Sequence, residues 1–339
     1  MATMRDVAKR ADVSVSTVSH VVNNSRAVSR AARERVLEAM EELGYKPNIM
    51  ARNLRRQRSN TIGMIVPDST NPFFAEVARG IEDAGFAHNF SVILCNTDGD
   101  IEKQLAYTNA LIENQVAGIV FVAAGVSTAQ VQDLQKRAVP LVIVDREVDG
   151  VHVDTVLTNH YQGGCLATQH LLDLGHQRVA CITGGSDLSP SADRGMGYQD
   201  VLAANGLAYN TDLLQGGDFQ YEGGYLAAKQ LLTAPNRPTA IFACNDLMAV
   251  GCISAARELG LSVPEDLSVV GFDDVKLASF TNPPLTTIAQ PTYKIGTLAI
   301  EMLLDRLQKG DALPRLERLD TKLVIRHSTA PPRATLDTF

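Results

Sequence analysis

Asp6-Val7-Ala8-Lys9-Arg10-Ala11-Asp12-Val13-Ser14-Val15-Ser16-Thr17-Val18-Ser19-His20-Val21-Val22-Asn23 is the stretch that organises the rest of the chain. Val7, Ala8 and Ala11, then Val18, Val21 and Val22, recur at three- and four-residue intervals, the period of two short amphipathic helices. Ala11-Asp12-Val13-Ser14 forms a compact turn between them, and Ser14 is placed to cap the second helix through its hydroxyl. Two short helices across a tight turn make a helix-turn-helix, whose second helix enters a DNA major groove by its amino-terminal end. The side chains outside the valine stripe are Val15, Ser16, Thr17, Ser19 and His20, slender enough to let a helix approach base edges.

Immediately downstream, Ser29 is positioned to cap a third helix with Val36, Leu37, Met40 and Leu43 as its inner face. Gly44 ends that helix, and Pro47 prevents its continuation. Residues 48–56 are a short basic helical stretch containing Leu54 and Arg55, too small to bury its own apolar residues. A helix of that length is marginal in water and needs DNA or a dimer mate to hold it. Charge agrees: residues 1–60 carry twelve Lys and Arg against six Asp and Glu, whereas the whole chain is −7, so the remainder stands at −13. A basic head on an acidic body suits a nucleic-acid module joined to something else.

From Thr61 onward apolar runs alternate with amphipathic helices. Strands are predicted at 61–66, 91–96, 118–122, 141–145, 179–184, 240–245 and 268–273, and helices at 74–85, 102–114, 128–137, 161–174, 195–205, 221–233, 247–259 and 295–309. Repeated strand–helix units with near-continuous apolar strands mean α/β architecture with parallel sheets covered on both faces. Two such sets, split near residue 160, give two doubly wound lobes with a ligand cleft between them at the carboxyl ends of the strands. Length, with 45% apolar and 20% charged residues, allows a sizeable core in 339 residues. No run approaches 18 apolar residues and the amino terminus has no apolar signal core, so a cytoplasmic protein is expected, with no membrane partner. The five cysteines, at 95, 165, 181, 244 and 252, lie in or beside apolar segments and read as small buried thiols.

Polar residues punctuate the strand ends. Asp145-Arg146, Asn245-Asp246 and Asp273-Asp274 each close an apolar run, Gln290 closes Thr-Thr-Ile-Ala, and Asn71-Pro72-Phe73-Phe74 follows the first strand. Arg194 is expected to open a helix after Gly184-Gly185, and Phe219 follows Gly216-Gly217-Asp218. Carboxylates, amides and a guanidinium converging with aromatic faces suit a sugar, whose hydroxyls bond bidentately while its C–H faces lie on rings. Each has a plainer alternative. Asp and Asn after strands often cap the next helix, adjacent Phe73 and Phe74 cannot both leave the core, and Arg194 could form a surface ion pair. Asp246 and Asp274 are assigned to capping or hinge roles. An enzyme is disfavoured: no nucleophile elbow, P-loop or dinucleotide fingerprint occurs, and none of the seven histidines has a matching nucleophile or metal-ligand spacing. Apart from His20 they read as surface or packing residues, and no cofactor or metal is expected.

The opening Met1-Ala-Thr-Met-Arg-Asp-Val-Ala-Lys-Arg-Ala-Asp-Val-Ser together with Ser16-Thr17-Val18-Ser19-His20-Val21-Val22-Asn23 closely resembles the DNA-binding head of LacI/GalR-family transcriptional repressors, and Arg52-Asn53-Leu54-Arg55 looks like that family's hinge helix. The body resembles the family's periplasmic-binding-protein-like (type I) fold over 61–328, most of all its ribose-type branch, through 71–74, 145–146, 193–195, 217–219, 245–251, 271–273 and 289–290. The resemblance implies a head over 1–46, a hinge helix and linker over 47–60, an effector-binding and dimerisation body over 61–328 with crossovers near 290 and 320, and a tail over 329–339. It places major-groove reading at positions 15, 16 and 20, with Thr17 beside them. Leu54 becomes a minor-groove wedge and Arg55 reads a neighbouring base. Val15 departs from the hydroxyl residue common there and offers only apolar contact, for instance to a thymine methyl. Asn71, Phe73, Phe74, Asp145, Arg146, Arg194, Phe219, Asn245, Asp273 and Gln290 fall at effector contacts, with the three Phe against a sugar ring. The implied protein is a homodimer on a pseudo-palindromic operator, controlled by ribose or another pentose; the alternative is the family's nucleobase-responsive, corepressed branch. The residues from 328 onward show no leucine heptads, so dimers rather than tetramers are expected.

Overall fold

A computed structural model describes residues 2–23, 26–45, 59–123, 125–185, 189–310 and 313–333. The chain divides into two compact units, Met1–Ser59 and Asn60–Phe339.

The first unit contains α1 (Met4–Arg10), α2 (Val15–Asn23) and α3 (Arg30–Glu42). Thr3 and Asp6 cap α1 reciprocally: the Thr3 hydroxyl accepts from the Asp6 N–H at 3.3 Å, and the Thr3 N–H donates to the Asp6 carboxylate at 2.8 Å. Val7, Ala8, Ala11, Val18, Val21, Val36 and Ala39 form its core. The inner face of α3 is therefore Val36 and Ala39 with Met40 at the margin, whereas Leu37 and Leu43 are exposed. Leu37 stands about 100° around the helix from Val36, and a core built of valine and alanine is too small to cover both. A surface ion pair of 2.7 Å ties Arg10 to Glu42.

The second unit holds two sheets of six strands. The first lobe comprises β1 (Thr61–Val66), β2 (Ser91–Asn96), β3 (Gly118–Val122), β4 (Leu141–Val144), β5 (Asp154–Thr158) and β11 (Leu316–Leu319), in the spatial order β11-β5-β4-β3-β1-β2. The second comprises β6 (Val179–Thr183), β7 (Leu214–Gly216), β8 (Ala240–Ala243), β9 (Ser268–Asp273), β10 (Thr286–Ala289) and β12 (Lys322–Val324), in the order β12-β10-β9-β8-β6-β7. Every described pairing is parallel except β10 with β12. The order is the same in both, so β4 and β9 are equivalent, as are β5 and β10.

Around these sheets lie α4 (Pro72–Ala87), α5 (Ile101–Glu113), α6 (Thr128–Lys136), α7 (His160–Asp173), α8 (Ser189–Ala204), α9 (Tyr221–Thr233), α10 (Asp246–Glu258) and α11 (Thr292–Lys309). The chain passes between lobes after β5, after β10 and between β11 and β12. Helix α11 returns to the first lobe, where Ile295, Ala299, Ile300 and Leu303 join the core of β1, β3 and β4. Arg306 also bonds Asp154 at 2.9 Å there. The sequence reading lacks strands β5, β7, β10, β11 and β12 and places the start of α8 later. Strand β5 was not expected, because its buried Asp154-Thr155-Val156-Leu157-Thr158 has only two apolar residues. Helix α8 begins at Ser189 rather than at 195, because Pro190 occupies its first turn, where a missing N–H loses nothing. Arg194 is thus well inside the helix.

Candidate functional site: a cleft between two lobes and a capped helix of the head

In the head, the amino-terminal turn of α2 is a hydroxyl cluster. Ser14 Oγ accepts the Thr17 N–H at 3.0 Å and lies 2.7 Å from Ser16 Oγ and 2.8 Å from Thr17 Oγ1. This cap fixes the turn and leaves Val15 exposed beside it. Ser16, Thr17 and His20 share the same helix, and Leu54 and Arg55 lie outside the described residues.

In the body, a cavity of about 370 Å³ opens between the carboxyl ends of the two sheets. Nine of the ten expected effector residues line it: Asn71, Phe73, Phe74, Asp145 and Arg146 from the first lobe, and Arg194, Phe219, Asn245 and Asp273 from the second. Gln290 is not in the lining; it is buried behind Asp273 and donates to that carboxylate at 2.7 Å. Asp68, which also lines the cavity, accepts from Gln220 Nε2 at 3.0 Å and so bridges the lobes at the rim.

The local chemistry explains how these side chains are held. Asn71 caps α4 by accepting the Phe73 N–H at 3.0 Å. Asn245 caps α10, accepting from Met248 N at 2.9 Å and donating to the Phe219 carbonyl at 2.8 Å. The capping reading holds for both, yet each amide keeps bonding capacity toward the cavity. Phe73 and Phe74 meet edge to face, centroids 5.1 Å apart; Phe73 belongs to the first-lobe core as well as the lining. Phe219 adopts φ +63°, and its ring occupies the space that a side chain at Gly184 would fill. Asp145 and Asp273 also have left-handed backbones, at φ +68° and +118°. Strained residues held by their surroundings cluster at functional sites.

Arg194 is buried, not a surface partner. Its guanidinium lies 3.8 Å over the Phe272 ring, donates to the Cys244 carbonyl and stands 3.9 Å from Asp273. It also donates to Nδ1 of His160, at 3.3 Å from Nε and 3.2 Å from Nη2. The other ring nitrogen of His160 lies 2.7 Å from Asp145 Oδ1. Read from sequence as a surface or packing histidine, His160 ties together two lining residues from opposite lobes. Its signal would have been its place directly after the cap Asn159, where β5 enters α7, but β5 itself was not legible.

Charge is partitioned unevenly. Burial opposes ionisation of Asp145, but His160, Arg194 and Arg146 outweigh it and hold the carboxyl below its usual range. Burial drives Asp273 the other way, to about 7, with Arg194 and the Gln290 bond offsetting only part. Asp246 is pushed up by burial and by Asp273; it accepts the Val275 N–H at 2.8 Å and a Thr287 hydroxyl, bracing the β9 end rather than facing the cleft. Asp274 pairs with Arg326. Buried Nε of Arg146 is a donor without an acceptor, as Gln290 Oε1 is an acceptor without a donor. Among the described residues no cluster of His, Cys, Asp or Glu is arranged to hold a metal ion, and no helix is long and apolar enough to cross a membrane.

Comparison with known proteins matches these two units. Residues 3–48 fit the family of bacterial regulatory proteins, lacI family, and residues 168–329 fit a periplasmic binding protein-like domain. The chain is 39% identical to the HTH-type transcriptional repressor PurR of Aliivibrio salmonicida (strain LFI1238), over 97% of this chain and 99% of that protein. It is 42% identical to the ribose operon repressor of Escherichia coli (strain K12), over 91% and 93%. Among solved structures, the lac repressor dimer bound to operator and the anti-inducer ONPF superimposes with a TM-score of 0.87 at 30% identity, over 97% of this chain and 99% of that one. A LacI family transcriptional regulator from Enterococcus faecium with bound ribose gives 0.74 at 36% identity, over 80% and 99%. The chain therefore belongs to the lacI family of bacterial regulatory proteins. It is a DNA-binding repressor with an effector-binding domain, and its relatives are repressors rather than enzymes.

Proposed function

We propose that this repressor works in the cytoplasm as a homodimer on a pseudo-palindromic operator and is released from it by ribose, or a closely similar pentose, held in the cleft. The observation that carries the reading is the convergence of Asp145 and Arg146 with Arg194, Asn245 and Asp273 on one cavity, with the buried Arg146 Nε still lacking an acceptor. A polyhydroxylated ring supplies donors for the carboxylates and acceptors for the guanidinium groups, while Phe73, Phe74 and Phe219 cover its C–H faces. Gln290 contributes by holding Asp273. The likeness to a ribose operon repressor and to a ribose-bound regulator supports the same choice. Relatives named PurR favour a second reading, a nucleobase acting as corepressor. Calorimetry against ribose, other pentoses and free nucleobases decides: ribose should bind, and uptake of a nucleobase without ribose refutes the pentose reading.

On the DNA side, α2 reads the major groove through Val15, Ser16, Thr17 and His20, with Leu54 as wedge and Arg55 beside it in a hinge over 47–60. Leu54→Ala should weaken operator binding at least about tenfold in a band shift while leaving ribose affinity unchanged. The dimer interface takes in edge strand β2 and α5, where Ile93, Leu94, Ile101 and Leu105 are exposed. Effector and operator binding are reciprocal, so saturating operator should lower ribose affinity by the factor, about 5- to 150-fold, by which ribose lowers operator affinity.

A further inference from the structure

His160 lies outside the cavity lining, yet it is 3% exposed and bonded to two residues that line it. Asp145 follows the last residue of β4 in the first lobe, whereas Arg194 belongs to α8 in the second. The hydrogen-bond inventory fixes the ring chemically. Guanidinium groups only donate, so Nδ1, facing two Arg194 nitrogens, must carry the lone pair. The proton of the neutral ring is then on Nε2, where it donates to the Asp145 carboxylate at 2.7 Å. The contact is built in: a side chain at Gly164 would strike the Arg194 carbonyl, so that glycine lets α7 lie against α8 and brings the two residues together.

We propose that His160 is a positioning residue for effector capture, a neutral Nε2-protonated imidazole that ties Asp145 of the first lobe to Arg194 of the second. The inference rests on the cleft being the effector site. His160 touches no effector atom; it sets the direction of the carboxylate and guanidinium that do, and its bond to Asp145 is made only while the lobes are together. A second proton would place an N–H against Arg194 and oppose two buried cations. The charged groups around the ring are Asp145 from the β4 end and Arg194 and Asp193 from α8, with Arg146 and Asp273 beyond them. Only the carboxylates favour imidazolium; burial and Arg194 oppose it. Separated lobes would return the ring to water and to an ordinary histidine pKa near 6.5. Acid therefore competes with closure, and ribose affinity should fall more steeply below pH 6.5 than Asp273 alone would make it.

The test combines imidazole ¹⁵N NMR on the full-length protein with ribose calorimetry on wild type, His160→Ala and His160→Gln at pH 7 and pH 5. At pH 7 the His160 resonance, identified by its absence in the variants, should be that of the Nε2–H form. His160→Ala should lose about 10- to 100-fold in ribose affinity and still bind operator in ribose-free buffer. His160→Gln, whose amide can donate to Asp145 and accept from Arg194, should stay within roughly fivefold of wild type. Between pH 7 and pH 5 the wild type should lose more affinity than His160→Gln. An Nδ1-protonated or doubly protonated ring at pH 7, an alanine variant within twofold of wild type, or equal acid losses in wild type and His160→Gln would each overturn the proposal. Should His160→Ala not fold, the tautomer and the glutamine pH comparison decide. A wild type that ignores ribose refutes the pentose reading instead, and the tautomer, measured without effector, then decides this one.

Discussion

Asp145 and Asp273 occupy equivalent places in the two lobes. Each follows or ends the fourth strand of an identically ordered sheet, each has a left-handed backbone, and each is bonded by a residue that follows the fifth strand: His160 for Asp145, Gln290 for Asp273. Their charge states nonetheless diverge. Asp145 has His160 at 2.7 Å with Arg194 and Arg146 near, and stays ionised. Asp273 has an amide and an Arg194 3.9 Å away, with a buried Asp246 behind it, and titrates near 7. The same topology thus delivers one acceptor held below the usual carboxylate range and one raised to about 7, because the neighbours of Asp145 outweigh its burial and those of Asp273 do not. The edges of the sheets differ too: β2 exposes Ile93 and Leu94, whereas the equivalent β7 is three residues of Leu-Gln-Gly.

The largest effect is expected at the buried guanidinium of the second lobe. Arg194→Ala leaves His160 Nδ1 and the Cys244 carbonyl without their donor and Asp273 without its neighbouring cation, and should destabilise the protein by about 3–5 kcal/mol in urea unfolding, with ribose binding lost. If stability falls by less than 1 kcal/mol, the buried guanidinium is not what holds the second lobe's face of the cleft together. The edge strands come next: Ile93→Asp should weaken dimerisation at least about 100-fold in sedimentation, while Gln215→Asp on β7 changes nothing. An unaffected Ile93→Asp dimer would remove the contrast between the edges.

The smallest effect sharpens the carboxylate pair most directly. Because Asp273 is raised to about 7 from an unfolded value near 3.9, the native state holds its proton more tightly. Its contribution to stability is therefore full below pH 4 and lost as pH rises to about 7. Asp273→Asn should remove that slope. Sugar hydroxyls donating to the ionised carboxylate should release a fraction of a proton per site on binding near pH 7, read from calorimetry in buffers of different ionisation enthalpy. Proton uptake instead of release would reverse the assignment of Asp273 as the poised acceptor.

Much of this architecture was legible in advance because it is written in local periodicity. The valine stripe of α2, its Ser14 cap and the apolar runs of β1, β3, β4 and β9 need only their own residues to declare themselves. The short mixed strands β5, β7, β11 and β12 do not: Leu-Glu-Arg-Leu over 316–319 becomes a strand because β5 lies beside it, not because of its composition. Nine cavity-lining residues were named from strand-end position and family likeness together. Arg194, named among those residues, lies inside α8 rather than opening it, and nothing near it in sequence predicts its burial over Phe272. His160 was passed over for a related reason, its two partners being 15 and 34 residues away on different elements.

The sequence by itself determined a helix-turn-helix head, two parallel α/β lobes and a set of polar and aromatic side chains at strand ends, because helix period, strand pattern and capping chemistry act over a few residues. Only the tertiary structure decided which of those polar groups pair, which carboxyl stays charged and which nitrogen of His160 bears the proton. Those outcomes depend on burial and on neighbours delivered from the other lobe, and electrostatic energies at a few ångströms have no counterpart in local sequence.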